Sequence, residues 1–193
     1  KRAIGSYTVP HAMYRLSPSR TIMAVDSPWI HMSYAETQFL LAETTIRGWG
    51  IDTETAESRF AKGYEAAVKQ FSLFGVSAAD MPSDEEIQDY MTTYLLPEVA
   101  AGGTRALEEI NKQIWILHFM DPIEAWSNLR RTNGMPTAYC KWYNRYPSEN
   151  QSNGLRPLRL TYPIEEQSKN TVNWQEAVDR MGGSDDWTVP VWW

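Results

Sequence analysis

From residue 33 onward the apolar positions fall into helical spacing, and each stretch is bracketed by start and stop signals. Ser33-Tyr34-Ala35-Glu36 reads as a capping box, with a serine cap and a glutamate at the third helical position. Phe39, Leu40, Ala42 and Ile46 then form an apolar stripe that Gly48 and Gly50 bring to an end. A second helix is predicted after Asp52, with Ala56, Phe60, Tyr64, Ala67, Val68, Phe71 and Phe74 at three-four spacing and Gly75 as its stop. Two helices joined by so short a turn should pack antiparallel. A third begins at the capping box Ser83-Asp84-Glu85-Glu86, turns Ile87, Tyr90, Met91, Tyr94 and Leu95 inward, and should end at Pro97. Thr104 is expected to cap a fourth, with Leu107, Ile110, Ile114 and Leu117 on one face and Trp115 and Phe119 beside it. Asp121-Pro122-Ile123-Glu124 opens a fifth, which runs to Arg131 and stops at Asn133-Gly134.

The flanks read differently. Gly5, Pro10, Pro18 and Pro28 break any long helix in residues 1–32, which are expected to be irregular. Residues 135–170 are loop-like, with Leu158 to Tyr162 as a short extended piece before Pro163. Asn173 is expected to cap a last short helix that ends at Gly182-Gly183, and the tail Val191-Trp192-Trp193 is apolar enough to dock on the body. The fold class is therefore mainly α, with tetratricopeptide-like helical pairs and long irregular loops. Ala56-x3-Phe60-x2-Gly63 has the spacing of the second helix of such a pair. The 193 residues suit one domain, divided as 1–32 irregular lead-in, 33–131 helical scaffold and 132–193 loop-rich portion.

Charge and composition exclude several functions. The net charge is −6 and no basic stripe exists, so nucleic acid is not the expected partner. Arg130-Arg131 is too small for a patch and suits a structural role, with a buried stem or a helix acid such as Glu36 or Glu43 as partner. The single cysteine, Cys140, allows no internal disulfide. No apolar run approaches the roughly 18 residues of a membrane helix. Nine Trp and ten Tyr against five Phe are unusual. Both of the abundant types join an apolar face to a polar handle, which suits half-wet surfaces as well as cores.

Catalytic chemistry is poorly supported. His11, His31 and His118 lie far apart without a Cys or His at ligand spacing, so no metal or other cofactor is expected. Asp121 with Glu124, Glu165 with Glu166, and Asp185 with Asp186 are the acid pairs a glycosidase would need to bring across a cleft. The first pair is explained by helix capping, and the side chains of adjacent acids tend to diverge. Binding is better supported. Tyr139 to Tyr146 holds four aromatics in eight residues. Trp142, Tyr143 and Tyr146 offer flat faces for sugar rings, with Asn144 and Arg145 beside them for the hydroxyls. The competing role for these aromatics is to staple the loop to the helical body. Trp29 and Trp49 are lesser candidates at a loop and a helix end.

Tyr34-Ala35-Glu36, Leu41-Ala42-Glu43 and Arg47-Gly48-Trp49 resemble the opening helix of the SusD/RagB family. Asn111 to Trp115, Phe119, Glu124-Ala125-Trp126, Leu129 to Thr132, Gly134 and Pro136 resemble its second signature. Arg159-Leu160-x-Tyr162-Pro163-x-x-Glu166-x3-Asn170 is similar to its third, and Val191-Trp192-Trp193 to its usual ending. The resemblance implies the C-terminal part of a longer SusD-like domain on a scaffold of tetratricopeptide-like pairs. It implies a non-catalytic lipoprotein of the outer membrane, held at the cell surface by a lipid anchor outside this chain. Such a protein binds oligosaccharide, or in some members peptide, and delivers it to a SusC-like TonB-dependent transporter. The signatures map to scaffold, so no ligand contact carries over by motif. A helical-repeat module that binds only protein partners is the alternative, and a glycan-active enzyme the third reading.

Overall fold

The structure is a computed structural model that describes residues 3–4, 7–8, 21–50, 53–137 and 158–189. It divides into two compact units, Lys1–Ala125 and Trp126–Trp193. The first opens on an antiparallel ladder of β1 (Ala3–Ile4) and β2 (Tyr7–Thr8), with Ala3 opposite Thr8 and Ile4 opposite Tyr7. The lead-in expected to be irregular thus carries a small hairpin.

Helix α1 spans Tyr34–Ile46 and α2 spans Ala56–Lys69. Ser33 accepts the Glu36 N–H at 3.0 Å, half of the predicted capping box. The Glu36 carboxylate lies instead 3.4 Å from the His118 imidazole. α2 is capped by Thr55 and ends in a 3-10 turn, Gln70–Phe74, before Gly75. Phe39 of α1 and Phe60 of α2 are fully buried, with ring centroids 5.4 Å apart. Phe39 also packs on Gly63, and Gln38 accepts from Arg59 at 3.1 Å. The Ala35 carbonyl of α1 faces Gly63 of α2 while Phe39, one turn on, meets Phe60, so ascending positions on α1 meet descending ones on α2, the expected antiparallel pair.

Pro97 does not end the third helix. α3 (Asp84–Tyr90) passes through a π turn, Met91–Leu95, directly into α4 (Leu96–Ala100). Two features favour the wide turn. Proline lacks an N–H and its ring crowds the carbonyl four residues back, which a wider turn accommodates. The buried residues Ile87, Met91, Leu95 and Val99 also recur every four residues. An α-helix would rotate such a series by about 40° per step, and the extra residue of the π turn brings it back. Tyr90 and Tyr94, expected to face inward, are consequently left 48% and 61% exposed.

Helix α5 (Gly103–Leu117) closes the core with Ala106, Ile110 and Ile114. Its cap is Gly102, at φ 68°, and not Thr104. Positive φ at Gly102 and Gly103 lets the chain turn straight out of α4, so the helix starts earlier than a hydroxyl cap would place it. Helix α6 (Pro122–Arg131) follows, with Asp121 Oδ1 accepting the Glu124 N–H at 3.1 Å.

In the second unit α6 stops where predicted. Asn133 and Gly134 have φ of 53° and 98°, and Gly134 N–H donates to the Leu129 carbonyl at 2.7 Å. Thr132 Oγ1 donates to the Asn128 carbonyl at 2.8 Å and accepts the Met135 N–H at 3.2 Å. Beyond residue 157 there are two helices where one was expected, α7 (Ile164–Lys169) and α8 (Thr171–Arg180). Asn173 lies inside α8 and is not its cap, because Asn170 flanks both helices. Pro163 before α7, Glu165 and Glu166 in its first turn and Lys169 in its last are the local signals that make this piece helical. Leu158 to Tyr162 forms no strand. It is held by Leu158 N–H to the Trp187 carbonyl at 2.7 Å, and by Arg159.

Candidate functional site

The first unit contains a cavity of about 620 Å³. Residues 22–33, the end of α2 with its 3-10 turn, and the end of α5 with the residues leading into α6 form most of its wall, with Glu36 of α1 and Tyr90 of α3 beside them. The apolar stripe of α2 continues through Phe71 and Phe74 past the reach of α1, so those rings line open space. Tyr64 stacks on Tyr90, centroids 6.2 Å apart and planes 17° apart, and Tyr90 leans on Tyr94. Burial, then the neighbouring Tyr90 and Glu109, hold the Tyr64 phenol above its ordinary range, so it remains protonated at neutral pH. Phe119 stands across the cavity, 64% exposed.

The carboxylates of this cavity have no cationic side chain beside them in its described lining. Glu36, Asp121 and Glu124 line it, and no Lys or Arg does among the described residues. His118 is 8% exposed, and neither ring nitrogen has a hydrogen-bond partner among the described residues. The 3.4 Å approach of Glu36 is therefore proximity without hydrogen-bond alignment. Asp121 is committed to the start of α6.

Trp29 and Trp49, both singled out from the sequence, are not brought together. Trp29 is in the cavity wall, 65% exposed, edge-on to His31 at 6.5 Å. Trp49 does not line that cavity. It is 59% exposed between Gly48 and Gly50, whose φ of 71° and 65° shape the turn after α1. The Arg47 guanidinium lies 5.7 Å from its ring centroid and is tied at 2.7 Å to Glu43, which is buried. Trp142, Tyr143, Asn144, Arg145 and Tyr146 lie outside the described residues. The sequence reading missed Phe71, Phe74 and Phe119 as site residues, since helical spacing marks a residue as apolar without saying what covers it.

The acid pairs have other uses. Asp185 pairs with Arg159 and accepts the Tyr162 N–H at 3.1 Å, and the Arg159 guanidinium lies 5.3 Å from the Tyr162 ring centroid. Asp186 points elsewhere. Its Oδ1 accepts from the Thr188 hydroxyl and N–H, which hold its carboxyl below its ordinary range. Glu166 accepts from Asn170 at 2.9 Å. Capping and stapling account for Asp121, Glu166, Asp185 and Asp186.

Residues 5–193 match the family described as SusD-like, SusD and RagB outer membrane lipoprotein. The chain belongs to the SusD/RagB family. Its solved relatives include a chitin-binding protein, 36% identical with a TM-score of 0.65, covering 91% of this chain and 36% of that one. A SusD-like protein of Bacteroidetes AC2a is 33% identical, TM-score 0.62, covering 91% and 32%. A chitin-binding SusD homologue from Flavobacterium johnsoniae is 26% identical, TM-score 0.52, covering 82% and 35%. The chain thus spans about a third of the length of these relatives. No curated protein matches it.

The SusD/RagB signatures now have physical meanings. Glu43 and Arg47 pair under the Trp49 turn, Thr132 and Gly134 terminate α6, and Arg159, Glu166 and Asn170 hold the last pair of helices. All of these are scaffold contacts.

Proposed function

We propose that this protein binds oligosaccharide at the cell surface and delivers it to a SusC-like TonB-dependent transporter, without catalysing a reaction on it. The family match over residues 5–193 carries this reading, and the family is one of outer membrane lipoproteins. A lipid anchor in the full-length protein would hold it to the outer membrane. Chitin is the first polysaccharide to test, because a relative 36% identical is a chitin-binding protein. The stacking surface is assigned to Trp142, Tyr143 and Tyr146, with Asn144 and Arg145 serving the hydroxyls. Trp49 and Trp29 are the described rings offered to the same ligand. Trp49 is the better placed, with a cation near its ring and glycines on both sides. The non-catalytic part of the reading is supported by the structural work of Asp121, Glu166, Asp185 and Asp186.

Calorimetric titration of the full-length protein with chitin oligomers and a panel of other glycans tests the proposal. Saturable binding with no release of reducing sugar is the expected outcome. Failure to bind any glycan would sink it and favour a helical-repeat module for protein partners. A peptide ligand is the second reading, favoured by the apolar character of the cavity, and a peptide panel belongs in the same titration.

A further inference from the structure

An asparagine followed by glycine loses its side-chain amide readily. The backbone nitrogen of the glycine attacks the asparagine Cγ, and a residue without a side chain leaves that approach open. The sequence has two such pairs, Asn133-Gly134 and Asn153-Gly154, the second outside the described residues. The first pair forms the end of α6. Asn133 takes φ of 53°, its N–H donates to the Arg130 carbonyl at 3.2 Å, and the Gly134 N–H donates to the Leu129 carbonyl at 2.7 Å. These are the paired bonds of a helix closed by a left-handed residue, and asparagine is among the few types that enter that conformation easily. The helix end thus favours, just before glycine, a residue that is chemically labile there.

The nucleophile of that reaction is the N–H that the helix end already uses. Hydroxide must take the Gly134 proton before the nitrogen can attack. That proton points at the Leu129 carbonyl, and Gly134 is buried while Asn133 is exposed. Thr132 reinforces the closure, since its Oγ1 donates to the Asn128 carbonyl at 2.8 Å and accepts the Met135 N–H at 3.2 Å. While these bonds hold, the Gly134 nitrogen is a donor and not a nucleophile.

We propose that Asn133 is a deamidation site gated by the end of α6, kept as asparagine while Gly134 is bonded to Leu129 and converted when that bond opens. On opening, the Gly134 nitrogen gives its proton to hydroxide and bonds to Asn133 Cγ. The bond from Cγ to the side-chain nitrogen breaks, and that nitrogen takes a proton from water and leaves as ammonia. The succinimide ring so formed is opened by one water at either carbonyl, to aspartate or isoaspartate. In isoaspartate the main chain runs through the former side chain and is one methylene longer, so Gly134 loses the spacing that reached Leu129. A reversible local opening becomes a one-way change in the turn that ends α6.

The test is peptide mapping by mass spectrometry of the full-length protein, incubated at mildly alkaline pH in buffer and in urea. In urea Asn133 and Asn153 should convert at similar rates, because both precede glycine. In buffer Asn133 should convert at least about tenfold more slowly than in urea. That factor should match, within about threefold, the protection of the Gly134 amide in hydrogen exchange, since both processes need hydroxide at one N–H. Thr132→Ala removes the acceptor of the Met135 N–H and should speed exchange at Gly134 and conversion of Asn133 by the same factor. Thr132→Ser, which keeps the hydroxyl, should restore both. Conversion of Asn133 as fast in buffer as in urea would overturn the proposal. So would slow conversion of Asn133 in urea, which would assign the protection to neighbouring sequence and not to the helix end. Faster exchange at Gly134 in Thr132→Ala without faster conversion would overturn it too. If Thr132→Ala does not fold, the wild-type rates in buffer and urea decide alone. The experiment needs no glycan, so its outcome is independent of the proposed function.

Discussion

Gly63 of α2 faces Phe39 and the backbone of α1, and replacing it with alanine sets two effects of known sign against each other. Alanine in a helix interior is favoured over glycine by about 1 kcal/mol. Against that, a Cβ at residue 63 would sit 2.8 Å from Phe39 Cδ1, 2.9 Å from Phe39 Cε1 and 3.2 Å from the Ala35 carbonyl oxygen. None of these can easily give. Phe39 is fully buried with its ring against Phe60, and the carbonyl belongs to the backbone of α1. Overpacking of this kind costs roughly 1–3 kcal/mol, and contact with two ring atoms and a backbone atom at once places it in the upper part of that range. Subtracting the propensity gain leaves a net destabilisation of about 1–2 kcal/mol. Urea denaturation should show a lower midpoint at unchanged m-value. Phe39→Leu, whose branch can turn away, should relieve the ring contact, so that Gly63→Ala costs little or stabilises in that background. The reasoning fails if Gly63→Ala stabilises the wild-type protein. It also fails if the two substitutions are additive within about 0.5 kcal/mol.

Other outcomes follow from the remaining contacts. Arg159→Ala or Asp185→Ala leaves a buried charge without its partner and should cost about 3–5 kcal/mol, with the double variant costing less than the sum. Hydrogen exchange at the Tyr162 amide, which donates to Asp185 at 3.1 Å, should report the loss locally, and unchanged protection would count against the staple. The Ser83 N–H and hydroxyl hold the Glu86 carboxyl below its ordinary 4.5. Because the folded value is the lower one, its contribution is present above the unfolded value and lost as pH falls through the folded one. In a carboxyl NMR titration Ser83→Ala should raise the Glu86 midpoint, and no movement would show the capping box to be energetically idle. Trp142→Ala and Tyr146→Ala should each weaken chitin-oligomer binding about tenfold, roughly 1.4 kcal/mol. Full affinity in both would take the ligand off that loop.

The sequence was read most accurately where the physics is local. Ser83 forms the full capping box with Glu86, and Asn133-Gly134 closes α6. A cap is a contact between residues three or four apart, so its signal lies inside a short window. The same reading went wrong at Pro97, because its effect depends on whether the turn before it can widen. It went wrong at Tyr90 and Tyr94, because a π turn shifts which face of the helix is buried. The family signatures were legible for a different reason. Glu43 with Arg47 and Glu166 with Asn170 are each a single helical turn apart, so the residues that define the family keep a fixed spacing.

By itself, then, the sequence determined the helical class, the antiparallel first pair and the family. Those follow from periodicity, caps and close-range pairs. Only the tertiary structure decided that the acids of residues 185 and 186 point to different partners, one of them 26 residues away in the chain. Only it decided that the apolar stripe of α2 outruns its cover and leaves Phe71 and Phe74 facing a cavity edged by carboxylates. Hydrophobic spacing states which side chains would leave water if a partner were offered. The number and reach of the neighbouring helices settle whether one is, and that depends on contacts far apart in the chain.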